Sequence, residues 1–283
     1  MEHFGVDQSA ARRYLLGAST TLAELPINRD WLVDGHRDIE LGDAVSPELL
    51  DSPAQQQAYA RRANELLSGH RGRRGIHGPF HGISINCPDP AIQRVVSRRF
   101  IQSLEFGSTF GISHMVIHSP FQGWSNPFLF HGAGANNRNI VTHVRATLEP
   151  VLPVAERHGV TLVMENIRDL SVFAILEVVR EIDSPHLRIS LDVGHCHTMT
   201  RHGGMTPDKY ILEAGDYLEH IHLQDGDGES DRHWAPGDGN VSWTAVFQAL
   251  RQVDANPRMI LELRDKSAVQ RGAGYLVDRG FGC

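Results

Sequence analysis

Lysine is almost missing from this sequence. Lys209 and Lys266 are the only two, so 25 of its 27 basic residues are arginine. Chemistry that needs a buried Schiff-base lysine has almost nowhere to reside. Cysteine is scarce too: Cys87, Cys196 and Cys283 form no CxxC pair and no regular spacing. That argues against a disulfide framework and suits a reducing compartment. No window is apolar enough to span a membrane, and the opening MEHFGVDQSAARRY lacks the apolar stretch of a secretion signal. The expectation is a cytoplasmic protein with no membrane attachment. Basic excess is also lacking, with a formal charge of −7 and a pI of about 6.2. No global positive field gathers nucleic acid, which argues against such a partner, although a local basic groove is compatible with an acidic protein. No segment is of low complexity.

What is abundant is histidine, with 17 residues. The count becomes informative only through where these residues fall. Short apolar runs alternate with longer amphipathic stretches from end to end. Eight runs read as strands: from Tyr14 (YLLGAST), Asp38 (DIELGD), Arg73 (RRGIHGPF), His114 (HMVIHSP), Thr161 (TLVMENI), Leu187 (LRISLDVGH), Leu218 (LEHIHLQDG) and Met259 (MILELRD). Helices are expected between them, among others over Ala54–Leu67, Pro90–Phe110, Asn139–His158, Ser171–Ile182, Pro207–Ala214 and Trp243–Val253. Several open on a capping residue followed by proline, as at Ser52, Asp89 and Thr206. Eight βα units in 283 residues predict an α/β protein, a single (β/α)8 TIM barrel over residues 1–283 with its core at about 14–265. A doubly wound sheet would alternate in the same way, but no GxGxxG follows the first strand. The longest loops, FQGWSNPFLFHGAGANN and QDGDGESDRHWAPGDGN, follow strands four and seven, on the side where a barrel carries its chemistry.

Read to their C-terminal ends, six consecutive strands finish in the same kind of residue. Strand three gives His77, strand four His118 and strand five Glu165. Strand six gives Asp192 and His195, strand seven His222 with Asp231 and His233 in its loop, and strand eight Glu262. A single strand-end histidine is more often hydrogen-bonded than metal-bound, and a single glutamate is as often an ion-pair partner. Nine such residues in order predict a divalent-metal site at the barrel mouth, since buried carboxylates and imidazoles are costly unless paired or coordinated. Their oxygen and nitrogen donors suit Zn, Mn, Co or Mg.

With these positions in view, the chain resembles the xylose-isomerase-like TIM barrels, a superfamily of sugar and sugar-phosphate isomerases and epimerases that also holds endonuclease IV. The resemblance rests on HGPF at His77, VIHSP around His118, VMENI around Glu165, LDVGH from Leu191, HIHLQD around His222, DRHWAPGDGNVSW from Asp231 and ILELR around Glu262. It implies one divalent ion held by Glu165, Asp192, His222 and Glu262, with Glu165 and Glu262 as catalytic acid and base in proton transfer through an enediolate. His77, His118, His195, Asp231 and His233 are then substrate-binding or additional metal ligands. Arg168 and Arg264 are candidate contacts for a substrate anion, although an ion pair is the commoner role of such residues. Trp124, Phe128 and Trp234 are candidates to shield the site from water, and Phe128 and Phe130 to pack in a homo-oligomer. The substrate expected is a small sugar or sugar-derived molecule. Ketose 3-epimerases of this kind grip the sugar with a Glu and an Arg where Ser171 and Gly228 stand here, so the sugar itself does not carry over. Endonuclease IV holds three zinc ions with the same nine residue types in the same order, which makes a zinc phosphodiesterase acting on abasic DNA the alternative. A barrel that keeps the metal site but only binds is a minor third.

Overall fold

A computed structural model of the protein describes residues 13–121 and 135–283. Trp124, Phe128 and Phe130, with most of the loop that carries them, lie outside the described residues. Eight parallel strands close into a barrel in sequence order: β1 (Leu16–Thr20), β2 (Ile39–Leu41), β3 (Arg74–His77), β4 (His114–His118), β5 (Thr161–Glu165), β6 (Leu187–Asp192), β7 (Leu218–Leu223) and β8 (Arg258–Leu261). Helices pack around the outside and give each strand its crossover, as a closed parallel sheet requires. Proline and capping side chains set where several of them start. Ser52 accepts from the Gln55 amide and Asp89 from the Ala91 amide, each just ahead of a proline at the first turn.

The sheet register sets the depth of each candidate ligand. His118 lies level with Glu165 across β4 and β5, and Asp192 lies level with His222 across β6 and β7. Residues far apart in sequence therefore arrive at one rim. Two boundaries depart notably from the periodicity reading. The strand expected to run through His195 stops at Asp192, because the Asp192 carboxylate caps a helix over Val193–Thr200. The helix expected over Asn139–His158 is two, Ala135–Leu148 and Leu152–His158, divided where Pro150 and Pro153 withhold two amide donors. Helices over Leu25–Asp34 and Val269–Asp278 complete the first and last βα units.

Branched and aromatic side chains fill the space between barrel and helices. Phe247 is fully buried there, stacked on Phe281 with ring centroids 4.7 Å apart and tilted against Tyr14 at 6.0 Å. Truncating it leaves a cavity that rigid β1 and its neighbours cannot close. Phe247→Ala is expected to lower the unfolding free energy by about 3–5 kcal/mol, measured by urea denaturation. A loss below about 1 kcal/mol would show that this layer is less tightly packed than described.

Candidate metal centre

Three clusters of candidate metal ligands meet at the C-terminal rim. Glu165, Asp192, His222 and Glu262 form the central one, His77, His118 and Glu165 a second, and His195, Asp231 and His233 a third. Within each, one donor atom per residue lies within 4.8 Å of the others. All nine residues singled out in the sequence are thus brought together, and Glu165 is shared by two clusters.

In the central cluster, His222 Nδ1 lies 2.8 Å from Glu165 Oε1, 3.4 Å from Glu262 Oε2 and 3.9 Å from Asp192 Oδ2. Donors that coordinate one ion at about 2.0–2.2 Å stand roughly 3–3.5 Å from one another, and the three separations from His222 Nδ1 bracket that range. Glu165 is buried, and its Oε2 has no hydrogen-bond partner among the described residues. That atom lies 3.6 Å from both His77 Nε2 and His118 Nε2. An unpartnered buried carboxylate oxygen between two imidazoles fits a cation.

The histidine tautomers agree with this. His77, His195 and His233 each turn Nδ1 toward a backbone carbonyl, of Gly78 at 2.8 Å, Asn166 at 3.0 Å and Glu262 at 3.0 Å. A carbonyl only accepts, so Nδ1 carries the hydrogen and Nε2 is left to face its cluster. His233 Nε2 lies 3.0 Å and His195 Nε2 3.4 Å from Asp231 Oδ1. His233 reaches this position from a backbone with φ of 52°, unusual for a residue other than glycine.

Several residues that the strand-end pattern did not single out hold the ligands in place. Asn166 exchanges two hydrogen bonds with the Asp192 backbone, at 2.8 and 3.1 Å. Gln224 donates to both Asp192 oxygens and to Asp231 Oδ1, each at 3.1 Å, and accepts from the His233 amide at 2.8 Å. It ties the central cluster to the third. Its side chain passes over Gly194, where a Cβ would stand 2.5 Å from the Gln224 side-chain carbonyl carbon. Asp225 organises the long loop after β7: it accepts from the amides of Gly226, Gly237 and Val241 and from the Trp243 indole. Asp169, hydrogen-bonded by Ser119 and the Ile167 amide, is pushed by burial to a pKa of about 6.

Arg168 and Arg264 are exposed and lie at the rim rather than among the ligands. Arg168 lines a cleft of about 330 Å³ with His195 and Asp231. Arg264 lines another of about 530 Å³ with Asp231, His233 and Trp234. In the second cleft Arg232 and Arg271 are paired with Asp227 and Asp238, while the Arg264 guanidinium donates to the Asp231 carbonyl. Trp234 is partly exposed, with Arg232 over its ring.

The family model of the xylose isomerase-like TIM barrels matches residues 35–279. The chain belongs to that family. It is 30% identical over 249 residues to a D-psicose 3-epimerase of Enterocloster bolteae, a match covering 83% of this chain and 78% of the relative. It is 22% identical over 186 residues to an uncharacterised protein of Methanocaldococcus jannaschii, covering 63% of this chain and 60% of that one. This alignment spans about three-fifths of the length of that curated relative. Among solved structures, a Thermus thermophilus protein soaked with zinc chloride is similar over 92% of this chain and 98% of its own, with a TM-score of 0.66 and 25% identity. Among the described residues, no helix is long and apolar enough to cross a membrane.

Crowded carboxylates set the protonation of this rim. Burial opposes charge on His222, but Glu262, Glu40 and Glu165 outweigh it and raise its pKa well above the ordinary value. Burial likewise opposes charge on His195, where Asp192 and the contact with Asp231 prevail and raise its pKa well above normal. Burial lowers His118 to about 3, leaving a neutral imidazole. A metal needs the neutral ring, so loading the rim must displace protons from His222 and His195. Apparent affinity is therefore expected to rise with pH, by about tenfold per unit for each proton displaced. Titration calorimetry with zinc in buffers of different ionisation enthalpy measures the release. Equal heats in all buffers would contradict the assignment.

Proposed function

We propose that the protein is a divalent-metal-dependent isomerase or epimerase that moves a proton on and off a carbon next to the carbonyl of a sugar or sugar derivative. The observation that carries this reading is the convergence of Glu165, Asp192, His222 and Glu262 from β5, β6, β7 and the end of β8 on one point of the rim. The similarity to a D-psicose 3-epimerase over most of both chains supports the class of substrate.

A bound Zn, Mn, Co or Mg ion would supply Lewis acidity to a carbonyl and its neighbouring hydroxyl, worth several kcal/mol where an enediolate develops. The remaining work falls to the chain. Glu165 and Glu262 approach the site from separate strands, so one carboxylate removes the proton and the other returns one from a different side. Burial opposes ionisation of Glu165, but His222 and its hydrogen bond outweigh it and hold the carboxyl well below its usual range, ready to accept. His195 is oriented by the Asn166 carbonyl at 3.0 Å, which aims Nε2 at the cleft for a substrate oxygen. Arg168 and Arg264, one in each flanking cleft, would meet a phosphate or other anionic group.

A second reading is favoured by one particular observation. The two outer clusters, His77, His118 and Glu165 on one side and His195, Asp231 and His233 on the other, each offer three donors beside the central set. Loaded with metal, such a site would supply Lewis acidity for water attack on a phosphodiester. Metal stoichiometry and substrate separate the two. The isomerase reading predicts one tightly held ion per chain and solvent deuterium entering carbon of a ketose or keto-sugar. Close to three zinc ions with nicking of an abasic duplex supports the hydrolase instead. Under the first reading, Glu165→Gln and Glu262→Gln each lower turnover by about 10²–10⁴-fold in chains whose circular dichroism is unchanged. Near-normal rates in either variant remove the two-carboxylate mechanism.

A further inference from the structure

Below the mouth, the barrel interior departs from the usual filling. Branched apolar side chains ordinarily dominate the layers inside such a barrel. Here Glu40 of β2, His114 of β4 and His220 of β7 meet there, each with 0% exposure. Burying a carboxylate is costly unless something specific compensates it. Glu40 Oε1 lies 2.9 Å from His222 Nε2 in a good hydrogen-bond geometry. Its other oxygen lies 3.1 Å from His220 Nε2 and 3.4 Å from His114 Nε2, and His220 Nδ1 is 2.8 Å from the Ser190 hydroxyl. Gly75 pairs in register with both Glu40 and His114 and makes the layer possible. A Cβ at Gly75 would stand 2.0 Å from His114 Nε2.

An ionised carboxylate only accepts, so the hydrogen in the Glu40–His222 contact belongs to Nε2. Nδ1 likewise donates to Glu165 at 2.8 Å while no ion is bound. It faces Glu165, Glu262 and Asp192, so its hydrogen is the one an ion would displace, and Nδ1 becomes the coordinating nitrogen. His77, His195 and His233 anchor their rings on backbone carbonyls, whereas His222 anchors on a buried carboxylate. We propose that Glu40 is a positioning residue of the metal centre: by taking the Nε2 hydrogen it fixes the tautomer and ring plane of His222 and strengthens Nδ1 as a donor. The inference rests on the reading of His222 as a metal ligand. His220 and His114 lie against the second Glu40 oxygen, which limits how far the carboxylate can turn from His222. A carboxylate behind a histidine ligand raises its basicity, and losing one commonly weakens metal binding by about 10–100-fold.

The test is zinc affinity by competition with a chromogenic chelator, on the full chain and on Glu40→Gln, Glu40→Leu and His222→Asn. Melting curves and circular dichroism of the metal-free variants report the fold. Glu40→Leu is expected to bind zinc about 10–100-fold more weakly. Glu40→Gln keeps an acceptor oxygen without the charge, and about a tenfold loss is expected. Nitrogen-15 spectra of the zinc-loaded wild type should show hydrogen on Nε2 of His222 and none on Nδ1. Unchanged affinity in folded Glu40→Gln, or hydrogen on Nδ1, overturns the proposal. Unchanged affinity in His222→Asn overturns it together with the reading beneath it.

Discussion

The rim of this barrel is governed by one electrostatic problem, the burial of Glu165 among other acids. Its carboxylate is almost wholly out of water, shares a site with Asp192 and Glu262, and has an oxygen with no hydrogen-bond partner among the described residues. Two carboxylates alone at such spacing would repel strongly in a low-dielectric interior. Histidines carrying protons ease that repulsion, and a divalent cation would remove it. The surrounding geometry follows from the need to hold these groups still. Asn166 pins the Asp192 backbone, Gln224 spans two clusters, and backbone carbonyls set three imidazole tautomers.

Topology turns distant sequence into neighbours. Parallel strands in sequence order deliver each candidate ligand at the same end, and register puts Glu165 beside His118 and Asp192 beside His222. Loop order then extends the site outward. Asp225, by collecting three amides and an indole, fixes the segment that carries Asp231 and His233. That segment separates the two clefts in which Arg168 and Arg264 stand. The chemistry proposed for the protein uses strand ends for its central cluster and the β7 loop for Asp231 and His233, a division suited to a barrel scaffold.

Much of this is legible in the residues. Alternation of apolar runs with amphipathic stretches marks the eight strands, and ligand-type side chains at six strand ends mark the rim. Strand ends are less legible. LRISLDVGH reads as one run, yet Asp192 both ends the strand and caps the next helix, and apolar Val193 hides the change of period. The buried layer escapes the strand-end pattern because Glu40 is a lone charge in a three-residue strand, IEL, and resembles a surface residue. A signal is present in HIHLQD: His220 and His222 are two apart and so share one face of β7. If His222 points inward, so does His220, and an inward histidine one layer deeper calls for a partner. Gln224, Asn166 and Asp225 carry no such pattern, because their roles depend on contacts that only the folded register creates.

The account stands on Glu165, Asp192, His222 and Glu262 sharing one cation. Anomalous diffraction from crystals grown with zinc or manganese tests this most directly. A strong peak bounded by these four side chains, with His222 approaching through Nδ1, is the predicted result. A map with no peak at that position, from crystals in which the four side chains are well ordered, would contradict it.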